Sequence, residues 1–257
     1  MDWHQVQAVS DPSHPGEARR LAMRMASRRG LDDVDAGRVA LVVTEASTNI
    51  VKHAGKGQIL LRALCEDDNC YGVEVIALDR GPGMSDLARC FEDGYSTAGS
   101  PGTGLGAIRR LAPTVEIYSG IGLGTAMLAQ VISRNTPTPG HDETWCVGSV
   151  RVPAPGETEC GDDFATELSK SRAHIIVADG LGHGPEAAKA AAAAVRVFKA
   201  RHDADPTQLL SEMHVALRST RGAAVAYAIV DLANNSVQFT GVGNVAGIIT
   251  WPGGSRH

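Results

Sequence analysis

Glu45-Ala-Ser-Thr-Asn49-Ile-Val-Lys-His53 is the stretch on which the reading of this chain turns. A spacing of four sets Glu45, Asn49 and His53 one turn apart on a single helical face. Leu41, Val42, Ile50 and Val51 mark the apolar side of the same helix, so three polar groups border buried surface. A solvated stripe accounts for that pattern. So does a magnesium site, because a carboxylate and an amide oxygen one turn apart can hold a hydrated Mg²⁺ that keeps other positions for water and phosphate oxygens. The helix is expected from about Val34 to His53, with Asp32 or Asp33 as its cap.

Upstream, Trp3 to Val9 alternates weakly, and Glu17 to Arg29 has helical spacing with Leu21, Ala22 and Met25 on one face. Its five arginines read as a solvated face or as a dock for an acidic partner. Downstream, strands are expected at Gln58–Leu64 and Tyr71–Leu78, the second running into Asp79-Arg-Gly81-Pro-Gly83. An aspartate closing a β-run before Gly-Pro-Gly is ordinarily a turn. Gly102-Thr103-Gly104-Leu105-Gly106 leads into a short helix, Leu105 to Leu111, and its glycines let backbone amides approach phosphates. Through Ala107 it also fits the loose GxGxxA dinucleotide pattern of an oxidoreductase, but no strand immediately precedes it. Gly55-Lys56-Gly lacks the spacing of a Walker A loop. Val115–Tyr118 and Thr125–Ile132 close the block, with Gly122-Leu-Gly124 between them.

Arg134-Asn-Thr-Pro-Thr-Pro-Gly-His141 reads as a linker between two domains, 1–133 and 142–257. The 257 residues are 43% hydrophobic, enough for two cores, yet only 4% aromatic, so those cores rest on Val, Leu, Ile and Ala. A formal charge of -5 argues against nucleic acid as a partner. No apolar run approaches the roughly 20 residues of a membrane helix, and no signal segment opens the chain. Five cysteines without a CxxC pair read as reduced thiols of a cytoplasmic protein, with Cys90 and Cys146 as small buried hydrophobes. Past the linker, strands are expected at Trp145–Val152, His174–Ala178, Val225–Asp231, Ser236–Phe239 and Ala246–Thr250. Helices are expected at Pro185–Lys199 and from Pro206 to about Arg218. Trp145 and Trp251 are expected to pack. Gly161-Asp162-Asp163 reads as an acidic loop and Asp179-Gly180-Leu-Gly-His183-Gly184 as a glycine turn. Their carboxylates and a carbonyl offer hard oxygens to Mg²⁺ or Mn²⁺. His183 stands beside them as a supporting group or a turn residue.

Four pieces in this order resemble the GHKL ATPase/kinase family over residues 10–133, specifically its anti-sigma and switch-kinase branch. Glu45, Asn49 and His53 match its N box, Asp79, Gly81 and Gly83 its first glycine box. Gly102, Gly104 and Gly106 match the second, and Gly122, Gly124 and Thr125 the third. Asp93-Gly-Tyr-Ser-Thr97 is similar to the switch kinases that phosphorylate STAS-domain proteins. The resemblance implies a Bergerat-type α/β sandwich in which Asn49 holds Mg²⁺ on ATP, Asp79 accepts the adenine amino hydrogen and Glu45 activates the attacking hydroxyl. His53, Thr103, Leu105 and Thr125 complete the nucleotide site.

The second block resembles the SpoIIE/RsbX-like metal-dependent serine phosphatases. The shared stretches are Gly161-Asp162, Asp179 to Gly184 and the strand pair ending Gly241-Val-Gly243-Asn244. Asp162, Asp179 and the Gly180 carbonyl match metal ligands there. A later Asp-Gly motif of that family does not occur before His257, so a partial, C-terminally incomplete α-β-β-α phosphatase domain is expected. The whole then reads as a bacterial partner-switch regulator. Its first half phosphorylates a serine or threonine on a STAS-domain antagonist or sigma-factor regulator, and its second half is phosphoserine phosphatase-like. The alternative is a non-catalytic, nucleotide-gated module that sequesters such a partner. The oligomeric state is open, a homodimer included.

Overall fold

Three rows of small and branched aliphatic side chains organise the first half of the chain. Strands β1 (Gln5–Val9), β2 (Gly57–Glu66), β3 (Asn69–Asp79), β4 (Thr114–Gly120) and β5 (Gly124–Ile132) form one antiparallel sheet in the order β1-β2-β3-β5-β4. The register aligns Ile59, Ala77 and Met127, then Leu61, Val75 and Ala129, then Ala63, Val73 and Val131. Alternate residues of a strand share a face, and all nine are buried. Helices α1 (His14–Arg28), α2 (Asp33–Asn49) and α3 (Gly104–Leu111) contribute Ala22, Met25, Val39, Val43, Ala46 and Ile108 to the same core. The computed structural model describes residues 3–66, 69–86, 104–136 and 144–256. Contacts divide the chain into two units, Met1–Pro139 and Gly140–His257.

Asp32 is the α2 cap. Its backbone is extended and its Oδ1 accepts the Asp35 amide at 2.7 Å, satisfying one of the free amides of the first turn. The same turn carries a clamp. Asp35, fully buried, accepts Arg38 Nη1 at 2.8 Å and the Arg134 amide at 3.0 Å. Arg38 donates onward to the carbonyls of Ile132 at 2.9 Å and Leu111 at 2.6 Å. Burial pushes the Asp35 carboxyl up, but bonds from Arg38, the Arg134 amide and Ser133 outweigh it and hold the group below its usual value. The ends of α3 and β5 are thereby fastened to the start of α2.

Three expectations are corrected in this unit. The helix expected to reach His53 is α-helical only to Asn49; Ile50–Ala54 form a π-helical turn, closed by the Gly55 amide on the Ile50 carbonyl at 2.9 Å. Cys65 and Cys70 are not separate thiols. They pair across the β2–β3 hairpin with Cα atoms 3.9 Å apart and are joined as a disulfide. The strands also run a residue or more past their expected ends, because ladder bonds extend each hairpin to its turn.

The second unit is an antiparallel sheet of β6 (Asp162–Leu168), β7 (Arg172–Gly180), β8 (Ala223–Asp231) and β9 (Ser236–Val242) in sequence order. Helices α4 (Pro185–Arg201) and α5 (Pro206–Leu217) cover one face, where Ala191, Ala194, Phe198, Leu209 and Met213 meet Ile176, Ala178, Val225 and Tyr227. A short hairpin follows, β10 (Ile249–Trp251) with β11 (Gly254–Arg256). Asp162-Asp163 opens β6 rather than lying in a loop. The strand expected at Trp145–Val152 is irregular chain that joins no sheet, and Trp145 Nε1 donates to the Ser169 carbonyl at 2.6 Å. Trp251 and Cys146 are exposed, against the packing expected of them; Cys160 is the buried thiol. Cys90 lies outside the described residues.

Arg172 and Asp231 face each other across β7 and β8. Two bonds from the Arg172 guanidinium, at 2.6 and 3.1 Å, together with bonds from the Asn234 side chain and amide, hold the Asp231 carboxyl at about 2. A folded-state value below the unfolded one, about 3.9 for Asp, stabilises above the higher value and is lost as pH falls through the lower. The unfolding temperature of the second unit is therefore expected to drop between about pH 4 and about pH 2. Asp231→Asn should flatten that part of the profile in thermal unfolding followed by circular dichroism; an unchanged slope would refute the assignment.

Candidate functional site

The apolar rows of the first sheet end in a polar one. Beyond Ile59–Ala77–Met127, the next row on the helix-covered face is Gly57, Asp79, Thr125 and Ser119. Asp79 Oδ1 accepts the Gly81 amide at 2.8 Å, and among the described residues Oδ2 accepts no hydrogen bond. Ser119 Oγ donates to the Gly124 carbonyl at 2.8 Å, accepts the Met84 amide at 2.9 Å and lies 3.0 Å from Thr125 Oγ1. A serine hydroxyl has one proton. With that proton on Gly124, Thr125 is the donor in its bond with Ser119.

Glycines let the surrounding turns close on this row. A β-carbon at Gly124, where φ is +83°, would overlap the Asp79 carbonyl, and one at Gly83 would overlap that of Gly120. Gly81 lies against the end of the π-helical turn, where a β-carbon would stand 2.7 Å from Ala54 Cβ. On α2, Glu45 and Asn49 are both half-buried, while His53 is exposed on the π-helical turn. Gly104, the first residue of α3, fits against both α2 groups. A β-carbon there would stand 2.8 Å from Glu45 Oε2 and 3.6 Å from Asn49 Oδ1. The first amides of a helix lack internal partners and favour anions.

The fold thus brings together Asp79, Gly81, Gly83 and Thr125 at one end of the sheet, and Glu45, Asn49 and Gly104 where α2 meets α3. Leu105 packs against the core and Gly106 is buried, so both support the start of α3. Gly102, Thr103 and Asp93–Thr97 lie outside the described residues. Sequence reasoning missed Ser119. Its signal was its place before Gly120 in a hairpin whose other arm starts Gly124-Thr125, which puts Ser119 opposite Thr125.

In the second unit Asp162 and Asp179 are direct cross-strand partners. Lost hydration, then the negative charge of Asp179 and a hydrogen bond with it, push the Asp162 carboxyl above its usual value. Two carboxylates held this close favour a shared proton or a cation. Like the carbonyl of the neighbouring Gly180, they are hard oxygens, the donor type that Mg²⁺ and Mn²⁺ prefer. Among the described residues no group of three or more His, Cys, Asp or Glu side chains is placed to hold a metal, so a cation here would draw further oxygens from carbonyls and water. Asp163 turns away and forms an ion pair with Arg151. His183 Nδ1 pairs with Glu157 Oε1 at 2.5 Å, and Glu157 also fills the space beside Gly184. This bond anchors the glycine turn. Glu157, 26 residues away, carried no local signal.

The first unit has the architecture of a nucleotide-binding ATPase, and known proteins match it in kind. A family described as the histidine kinase-like ATPase domain matches residues 8–128. The serine/threonine-protein kinase RsbT of Bacillus subtilis (strain 168) is 38% identical over 112 residues, 44% of this chain and 84% of that kinase. The chain belongs to the RsbT-like branch of the histidine kinase-like ATPases. Residues 169–257 match the family described as stage II sporulation protein E, SpoIIE. The phosphoserine phosphatase RsbX of the same organism is 27% identical over 99 residues, 38% of this chain. The chain spans half the length of that phosphatase. A solved structure of RsbX in complex with magnesium aligns at 24% identity over 37% of this chain and 47% of that one, with a TM-score of 0.35.

Proposed function

We propose that residues 1–133 are a Mg²⁺- and ATP-dependent serine/threonine protein kinase acting on a STAS-domain protein or another regulator of a sigma factor. Residues 142–257 are, in this reading, a phosphoserine phosphatase-like domain, and 134–141 link the two. The observation that carries the proposal is the fit of Gly104 against Glu45 and Asn49. It sets the anion-favouring start of α3 beside a carboxylate and an amide.

Each residue then has a task its surroundings allow. Asp79 Oδ2 accepts the adenine amino hydrogen, a contact that guanine, with a carbonyl at that position, leaves unmade. Thr125 adds an acceptor on the same row, oriented by Ser119. Asn49 Oδ1 supplies a ligand for Mg²⁺, which when bound neutralises charge on the transferring phosphoryl group. Glu45, one turn away on α2, takes the proton of the attacking hydroxyl. The amides at Gly104–Gly106 receive phosphate oxygens, and His53 borders the site from the π-helical turn. In the second domain Asp162, Asp179 and the Gly180 carbonyl would hold Mg²⁺ or Mn²⁺, which supplies an activated water for attack on phosphoserine.

The test is transfer of labelled γ-phosphate from Mg·ATP to purified STAS-domain partners. Labelled serine or threonine on a partner is the expected result. Nucleotide-dependent binding of the partner with no label transferred would replace the kinase by a sequestering module.

A further inference from the structure

Ser119, near the end of β4, faces Thr125, near the start of β5, and Thr125 is in turn the register partner of Asp79 on β3. Directly opposed residues of neighbouring strands share a face, so the three side chains lie in one row across three strands. Backbone contacts close the turns at this end of the sheet. Gly83 approaches Gly120 so closely that a β-carbon would overlap its carbonyl, and the Gly122 amide donates to the Pro82 carbonyl at 2.8 Å. The loop after Asp79 is thereby pinned to the β4–β5 hairpin, and Ser119 adds a side-chain bond to the same junction through the Met84 amide.

The Ser119 hydroxyl is fully committed. A serine oxygen offers one proton and two lone pairs. The Gly124 carbonyl, 2.8 Å away, can only accept, and takes the proton. The Met84 amide, 2.9 Å away, can only donate, and takes one lone pair. The second lone pair is left for the Thr125 hydroxyl at 3.0 Å, which therefore donates its own proton to Ser119. Thr125 Oγ1 then has no proton to offer a ligand and can only accept. The Asp79 carboxylate accepts as well, Oδ1 already taking the Gly81 amide. Two acceptors on partnered strands match the amino group of a base and leave its carbonyl without a donor.

We infer that Ser119 sets the base specificity of the first unit by holding Thr125 in its accepting state. This rests on the reading of Asp79 and Thr125 as base-binding residues of an ATP site, and goes beyond it by assigning discrimination to a side chain that acts through another. Without the Ser119 hydroxyl the Thr125 proton is released from its bond and can turn to a carbonyl oxygen, so a 6-oxopurine finds a donor. Ser119 is thus a positioning residue, and its effect is on which purine binds.

The test uses the full chain and calorimetry, in magnesium, with ATP and with inosine triphosphate, which carries a carbonyl where adenine has its amino group. The readout is the ratio of the two affinities, which a partly unfolded preparation leaves unchanged. Ser119→Ala is expected to lower the preference for ATP by about three- to tenfold, the worth of one hydrogen bond. Ser119→Thr, which keeps a hydroxyl, is expected to retain the preference. In Thr125→Val there is no hydroxyl to orient, so adding Ser119→Ala is expected to leave the ratio where Thr125→Val alone puts it. An unaltered ratio in Ser119→Ala overturns the proposal, since a merely structural role weakens both nucleotides together. So does a further fall in the ratio when Ser119→Ala is added to Thr125→Val. Both of those outcomes leave the ATP site standing. Failure of the unaltered chain to bind ATP overturns that reading, and this proposal with it.

Discussion

Glu45→Gln is expected to slow phosphoryl transfer by about 10²- to 10⁴-fold, the usual contribution of a positioned general base, while Mg·ATP still binds within a few-fold. Glutamine keeps the shape on which Gly104 packs and removes only the basicity. Alanine at the same position would also leave a gap beside α3, so the glutamine variant is the cleaner measurement. Asn49→Ala should behave differently. It removes the oxygen assigned to Mg²⁺, so calorimetry is expected to show weakened nucleotide binding with a reduced dependence on magnesium. Two neighbours one helical turn apart would then separate rate from affinity. Transfer at the unaltered rate in Glu45→Gln would remove Glu45 from the chemistry.

Asp35→Ala should cost the first unit about 3–5 kcal/mol, the loss usual when one partner of a buried ion pair is removed. For a unit of this size that corresponds to a fall in unfolding temperature on the order of 10 °C. The carboxylate does two things at once, accepting Arg38 and the Arg134 amide, and alanine leaves both donors unsatisfied. Asp35→Asn retains oxygen for one of them and should lose less. Arg38→Met removes the bonds to Leu111 and Ile132 as well. Because the two residues share one network, the double variant is expected to be less unstable than the sum of the singles. Thermal or urea unfolding of the four proteins checks this; additive losses would mean that the clamp is not a unit.

What could be read from the sequence was local. Asp32 before an apolar-periodic run announced α2, the 45–49–53 spacing announced its polar stripe, and each glycine cluster announced a turn. Residues 73 to 99 positions apart announced nothing, which is why the Asp35–Arg38 clamp to Leu111, Ile132 and Arg134 appears only in the fold. Trp145–Val152 shows the opposite error. Its alternation of apolar and small residues suits a strand, but no neighbouring strand offers it a ladder, and alternation alone cannot supply one. Asp162-Asp163 reads as a loop in the sequence because acidic residues are poor strand formers. The β6–β7 register overrides that preference, aligning Asp162 with Asp179 and leaving Asp163 to Arg151. The cross-strand disulfide was hidden for a related reason: a spacing of five says nothing until the hairpin register sets Cys65 opposite Cys70.

The two hydrophobic clusters share no residue, and this bears on how the molecule should be handled at the bench. Such a polypeptide has two cooperative blocks to melt, so a single midpoint cannot describe it and a two-state fit would misstate its enthalpy. The same feature makes one thermogram a double assay. Adenine nucleotide should lift one endotherm and a divalent cation the other, each reporting occupancy of its own half.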